Sequence, residues 1–358
     1  MERFGLVGLP NVGKSSLFNA LTGGNAAVAP FPFTTTDSNT GVGKVPDHRL
    51  DALAAMSASR NVVPASVQVV DIGGLAAGAS HGEGLGNRFL AGIREVDAVV
   101  FVLRAFEDDD APGPTDPVEQ LGTIELELTL ADLESLEAQV ERRRKAARAD
   151  KSLTAEVAAL DAALELLRAG TPLYKGGIDA ERRALLAPFF LMTAKPVLAV
   201  VNVGEDQLDR ADELAAAVAA ELGPGAEVVA MSVQLEAEAA RLDPDERSEL
   251  LEGLGLGEGA LPRFVRAAYH LLGLRTFLTT GDKESRAWTF RAGSKAPECA
   301  GRIHSDLQRG FIRAEVIRWD ELLEIGSWAK AKEAGKLRVE GKDYVVADGD
   351  VLEIRFNV

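Results

Sequence analysis

Cysteine is almost absent: Cys299 stands alone among 358 residues. One thiol excludes an intrachain disulfide and any cysteine-based metal cluster. Positive charge is also short, with 39 Lys and Arg against 55 Asp and Glu and a net charge of −16. Such a surface favours solubility and opposes nonspecific binding to polyanions, so any nucleic-acid contact needs a local basic patch. No uninterrupted apolar run approaches the ~20 residues that span a bilayer. Met1-Glu2-Arg3 leads straight into the apolar run Phe4 to Val7 with no leader-like region. The expectation is therefore a cytoplasmic protein without a membrane partner. What remains is ordinary for a globular chain, 46% hydrophobic and 26% charged, and the length suits two or three domains.

The most informative stretch follows that first apolar run. Residues 8–15 read Gly-Leu-Pro-Asn-Val-Gly-Lys-Ser, and Ser16-Leu-Phe-Asn-Ala-Leu21 continues as a helix. Strand, glycine-rich loop and helix are the context that the phosphate-loop pattern G-x-x-x-x-G-K-[ST] requires. Gly8 and Gly13 allow a tight turn whose N–H groups point inward, and the helix presents its positive end to phosphates. Asn11, Val12, Gly13, Lys14, Ser15 and Ser16 are thus expected to bind a nucleoside triphosphate. Lys14 would meet the β/γ-phosphates and Ser15 would hold Mg²⁺.

Two downstream loops fit that site. Thr34-Thr35-Thr36 follows the proline-rich Ala29 to Phe33. These threonines are either solvated loop residues or, beside a phosphate site, include a metal-contacting γ-phosphate sensor, for which Thr35 is favoured. Val67 to Asp71 alternates in character, ends in an acid and precedes Ile72-Gly-Gly74. A carboxylate at a strand end and a following glycine suit a water-mediated Mg²⁺ contact from Asp71 and a γ-phosphate N–H contact from Gly74. Lys14, Thr35 and Gly74 are the expected catalytic groups, and Ser15, Thr35 and Asp71 the expected metal groups. Signalling GTPases place a water-orienting glutamine after this glycine; here Leu75 stands there. His81, a lone loop histidine, is either solvated or a substitute for it.

Ala98 to Leu103 and Pro196 to Asn202 read as fully buried strands. The second runs into Asn202-Val203-Gly204-Glu205, where guanine-specific enzymes carry N-K-x-D. Lysine and aspartate are both replaced, so half of a guanine-reading constellation is missing, and such losses cost heavily in discrimination. An Asn amide can serve the N6/N7 edge of adenine. Asn202, Val203 and Glu205 are expected at the base, with Ser232 on a base-covering loop after the strand Val228 to Ser232.

Nearly a hundred residues separate those two strands, too many for one crossover. Leu126, Leu130, Leu133 and Val140 form one stripe, and Leu153, Val157, Leu160, Leu164 and Leu167 a second. Two antiparallel helices meeting along these seams are expected. Between them lies Arg142-Arg-Arg-Lys145, with Arg148 and Lys151. This is either a solvated helix end or a tip that touches RNA phosphates. From Thr276 onward short β-rich runs alternate with turns, and residues 276–358 hold 14 basic and 14 acidic residues. An α+β module such as a ubiquitin-like half-barrel fits. Trp288 and Trp319 are read as core residues or as binding anchors.

These motifs together resemble the Obg-like YchF ATPases. The resemblance is carried by Gly8 to Leu21, Phe31 to Phe33, Asp71-Ile-Gly-Gly-Leu75 and Gly82 to Asn87. It continues through Asn202 to Glu205, Arg286 to Thr289, Gly310 to Ala314, Glu340 to Tyr344 and the terminal Phe356-Asn-Val358. It implies an α/β phosphate-loop NTPase domain of G-protein type, residues 1–120 and 196–275, interrupted by an antiparallel helical hairpin, 121–195. A TGS domain, 276–358, would follow. It also implies ATP preferred over GTP, slow Mg²⁺-dependent hydrolysis, and binding to ribosomes through the helical tip, the TGS domain or both. The chain is expected to act as a monomer. In related NTPases with a hydrophobic residue at the position of Leu75, an asparagine like Asn11 helps hold K⁺, which makes K⁺ a candidate ion. Two departures limit the carry-over. Glu107 to Pro114 lacks the histidine that many members carry there, and Thr34 replaces a switch-region cysteine tied to redox control. An Obg-type GTPase of ribosome assembly, and a nucleotide-gated binding module that does not hydrolyse, are the alternatives.

Overall fold

In the computed structural model, the described residues are 2–23, 39–73, 85–108 and 113–357. Among them twelve strands form: Arg3–Val7 (β1), Asn39–Lys44 (β2), Asn61–Val63 (β3), Ser66–Asp71 (β4), Ala98–Arg104 (β5), Val197–Asn202 (β6), Glu227–Met231 (β7), Leu274–Thr279 (β8), Glu284–Arg291 (β9), Phe311–Arg318 (β10), Arg338–Glu340 (β11) and Asp350–Phe356 (β12). The chain divides into two compact units, one of Met1–Val42 with Gln68–Ala268, the other of Gly43–Val67 with Tyr269–Val358.

The first sheet runs β2-β4-β1-β5-β6-β7. Every residue of β5 and β6 is buried, which explains why these strands read as unbroken apolar runs: a parallel strand covered on both faces has no solvent side. The register pairs Leu6 with Asp71, Leu103 with Val201, and Asn202 with Met231. The carboxyl ends of β1, β4, β5, β6 and β7 therefore gather along one edge, where open α/β sheets bind their ligands. Phe4 on β1 meets the Phe264 ring edge-on at 5.9 Å, anchoring the helix Ala260–Leu271 to the sheet.

The insertion is a helical hairpin. Its long helix, Pro117–Ala149, starts with Pro117 at its first position, and Asp116 accepts from the N–H groups of Val118 and Glu119. The return helix is Thr154–Arg168. Leu136 and Val140 pack against Ala159, Leu160, Ala163, Leu164 and Leu167, with Leu133 at the margin. Leu126 and Leu130, expected in this seam, are 56% and 37% exposed instead. The first half of the long helix turns Leu121, Ile124, Leu128 and Ala131 inward, which leaves Leu126 and Leu130 on the outer face.

The second unit's sheet runs β11-β10-β12-β8-β9-β3. The β8–β9 hairpin is antiparallel, and the last strand, β12, lies parallel to β8. The strands β8 and β12 lie side by side, and the helix Ala296–Ile303 packs on a core of Phe277, Phe290, Cys299 and Leu352. Trp288 stacks on Phe277 and donates to Thr279 Oγ1 at 3.0 Å, and Trp319 meets His48 edge-on; both indoles are packing residues. Residues 43–67, which the sequence placed inside 1–120, join this sheet because β3 pairs in parallel with β9. Hydroxyl bonds reinforce the join, Ser59 Oγ to Ser285 Oγ at 2.8 Å and Ser57 Oγ to Thr280 Oγ1 at 2.8 Å. Arg49 adds ion pairs to Asp47 and Asp348.

Candidate nucleotide site

β1 ends in the glycine-rich loop, and the helix Lys14–Thr22 begins directly after Gly13. Both glycines are forced by their surroundings. A Cβ on Gly8 would lie 2.4 Å from the Val102 carbonyl oxygen, and one on Gly13 would lie 2.4 Å from Asn202 Nδ2. Gly13 also has φ of 95°, open to glycine at little cost. Asn11 adopts a left-handed φ of 60°, a conformation that asparagine tolerates better than most residues. The first helical bond is Leu17 N–H to the Gly13 oxygen, so the donors before it are left for a ligand.

Lys14 is 7% exposed, and its Nζ donates to the carbonyl oxygens of Gly8 and Leu9 at 3.0 Å each. Burial lowers its pKa from 10.5 to about 8, with the Asp71 carboxylate partly opposing the shift. Ser15 Oγ donates to Asp71 Oδ2 at 2.8 Å. Asp71 is fully buried, and burial raises its pKa against the pull of Ser15 and Lys14. Its other oxygen, Oδ1, has no partner among the described residues. An orphaned buried carboxylate oxygen beside a hydroxyl and an ammonium fits a hard divalent cation. No group of three or more His, Cys, Asp or Glu that could hold a metal occurs among the described residues. Such an ion would draw its remaining ligands from phosphate oxygens and water, as Mg²⁺ commonly does.

The base side is built by three segments, 106–108, 202–206 and 232–241. Asn202 is 5% exposed; its Nδ2 donates to the Val12 oxygen and its Oδ1 accepts from Val233 N–H, each at 3.0 Å. The amide was expected to read the base. Its geometry instead ties the phosphate loop to the segment after β7, leaving one N–H and one lone pair in reserve. Val203 is almost wholly buried, so its side chain is no substitute for a lysine stem lying over a base. Ser232 Oγ caps the helix Val233–Ala239. Glu205 is exposed and begins a short 3-10 turn. Its loop is held by Gln207, which accepts from Gly204 N–H and donates to the Ala105 oxygen, both at 3.0 Å.

Between these segments and the phosphate loop lies a cleft of ≈ 750 Å³, with Asn11, Gly13 and Ser16 on one lip and Phe106, Val203, Glu205 and Gln234 on the other. That volume falls within the range of small-molecule sites. Glu107, Asp108, Asp206 and Glu238 add carboxylates to its wall, with Arg241 as a counter-charge. The cleft is rich in acceptors, which suits the amino group of a base and the hydroxyls of a ribose. Thr35, Gly74, Leu75 and His81 lie outside the described residues. Three contributors were missed in the sequence: Phe106, Arg104 and Gln207. Only Arg104 left a trace there, as a charged residue ending a buried strand.

A parallel sheet whose strand ends carry a phosphate loop, a serine–aspartate pair and a base-side cleft defines a phosphate-loop NTPase domain of the GTPase-like class. Residues 3–133 match the family model described as 50S ribosome-binding GTPase, and residues 274–357 match the YchF GTPase C-terminal domain, described as a protein of unknown function. The chain is 46% identical over 363 residues to the Ribosome-binding ATPase YchF of Bacillus subtilis (strain 168), covering 99% of each chain. It is 44% identical over 364 residues to the protein of that name in Escherichia coli O157:H7, again covering 99% of each. The structure of the Schizosaccharomyces pombe YchF GTPase superposes with a TM-score of 0.84 at 33% identity, covering 99% of this chain and 97% of that one. The chain belongs to the YchF family.

Proposed function

We propose that this protein is a ribosome-associated ATP-binding switch of the cytoplasm that hydrolyses ATP slowly, needs Mg²⁺, prefers ATP to GTP and acts in translation or its regulation. The observation that carries the nucleotide choice is the segment Asn202-Val-Gly-Glu205 opening onto an acceptor-rich cleft. A buried valine supplies no stem over the base, and Glu205 sets its carboxylate one methylene farther out than a guanine-reading aspartate. In this reading the ammonium of Lys14 and the loop N–H groups stabilise charge on the transferring phosphoryl group. Ser15 and Asp71 would hold Mg²⁺, which when bound would neutralise phosphate charge. Thr35 and Gly74 meet the γ-phosphate, and Leu75 offers no hydrogen bond to the attacking water, which is why turnover is slow. Ribosome binding is proposed from the names of the relatives.

One observation favours a second reading. Both the family model at the N-terminus and the solved relative are described as GTPases. Competitive binding of ATP and GTP with Mg²⁺ decides between them. The expected result is clear ATP preference that shrinks when Val203→Lys and Glu205→Asp are combined. Tighter GTP binding by the unaltered protein would overturn the ATP assignment. Single-turnover hydrolysis with and without ribosomes, in K⁺ and in Na⁺, tests the catalytic half and the candidate ion.

A further inference from the structure

Arg104 heads the largest fully buried side chains, at 1% exposure, and none of the roles above uses it. Burying a guanidinium is costly, so its placement calls for a reason. Its backbone is pinned at the end of β5: Arg104 N–H donates to Gln120 Oε1 at 2.9 Å, and Gln120 Nε2 donates back to the Arg104 oxygen at 2.6 Å. From that fixed origin the side chain reaches both lips of the cleft. Nε donates to the Phe106 oxygen at 2.8 Å, and Cζ lies 4.3 Å from the centre of the Phe106 ring. An Nη reaches the Asn11 oxygen at 3.5 Å, the limit of a hydrogen bond. Phe106 and Asn11 both line the cleft. Residues 105–108 belong to no strand or helix, so the Phe106 ring has no regular backbone to orient it.

We propose that Arg104 is a positioning residue for the base. It clamps Phe106 by its carbonyl and by its ring face, so that the ring forms a fixed wall against which the nucleobase seats. Arg104 itself touches no part of the nucleotide. The clamp needs a flat guanidinium. Lysine keeps the charge but cannot stack as a plate while donating in fixed directions. This inference rests on the cleft being a nucleotide site.

Arg104→Lys in the full chain separates geometry from charge. With Mg²⁺ present, ATP affinity should fall about tenfold, while inorganic tripolyphosphate, which has no base, should bind within about twofold of the unaltered protein. Phe106→Leu should weaken ATP comparably, and Arg104→Lys added to it should cost nothing more, because the clamp has lost its ring. Equal losses for ATP and tripolyphosphate would mean that Arg104 supports the phosphate loop instead. Unchanged affinity for both ATP and GTP, or additive losses in the double variant, would also overturn the proposal. Should Arg104→Lys fail to fold, the unaltered protein still decides: the Arg104 Nε–H resonance should shift on adding adenosine but not tripolyphosphate, and no shift refutes the clamp. A base-dependent loss seen with GTP alone would sink the adenine assignment while leaving the role of Arg104 standing.

Discussion

Lys14 is where one residue's chemistry has the most measurable consequence. Its pKa is about 8 in the fold against an ordinary 10.5. Between those values the unfolded chain holds a proton that the fold does not, so this group's contribution to stability rises with pH across that window. Ligand binding should run the other way. Polyphosphate favours the charged ammonium, so above pH 8 a proton must be taken up with the nucleotide, and affinity falls by at most about tenfold per pH unit. Calorimetry at pH 9 in two buffers of different ionisation enthalpy should register uptake approaching one proton per ATP. Zero uptake would show that Lys14 is already charged. Cys299 makes the opposite case, a residue whose environment removes its chemistry. It is fully buried in the second unit's core, and burial pushes its thiol up to about 12. A disulfide-exchange reagent should leave the native protein unlabelled and modify one thiol when urea unfolds it. Rapid labelling of the native protein would contradict this and reopen a redox role for the thiol.

At the scale of elements, the hairpin offers a paired test. Leu160→Ala should destabilise the protein by about 2–5 kcal/mol, as large-to-small changes in a packed seam do, whereas Leu126→Ala on the exposed face should stay within about 0.5 kcal/mol. Equal effects in urea melts would show that the seam is misplaced. The same pair explains what the sequence revealed. The return helix keeps one face, Leu160, Ala163, Leu164 and Leu167, toward a single core cluster, so its leucine spacing was legible. The long helix of 33 residues changes its buried face midway, and a single leucine stripe traced through it crossed from outside to inside. Central strands were legible for a similar reason, since burial on both faces leaves an unbroken apolar run. β10 was not, because Arg313, Glu315 and Arg318 interrupt its apolar residues. The phosphate loop is local and announced itself. The tie from Asn202 to Val12 spans 190 residues, and the join of residues 43–67 to β9 spans more than 220. Backbone ladders and hydroxyl bonds of that range leave no periodic mark on a sequence.

For the whole molecule, the difficulty is how a chain of net charge −16 would approach a ribosome. Residues 276–358 are neutral, with 14 charges of each sign, so the remainder carries the entire excess. On the proposed reading any RNA binding would therefore be local, and the hairpin tip is the densest basic run. Within it the cations are not equivalent. Arg143 pairs with Glu156 at 3.2 Å and lies over the Phe189 ring, and Arg144 bridges Glu141 and Asp161. These two brace the hairpin. For Arg142, Lys145 and Arg148 the structure gives no ion pair among the described residues, so they are the charges available to phosphates. Replacing those three by glutamine should weaken co-sedimentation with ribosomes and reduce the log–log salt slope by about 2–3, at ~0.7–0.9 for each phosphate that is no longer neutralised. ATP affinity should be unchanged, since the tip makes no part of the cleft. Replacing Arg143 and Arg144 should show mainly in melting temperature. If the triple variant sediments like the unaltered protein with the same salt dependence, the tip is a solvated helix end, and the ribosome-binding surface must be sought on the C-terminal unit.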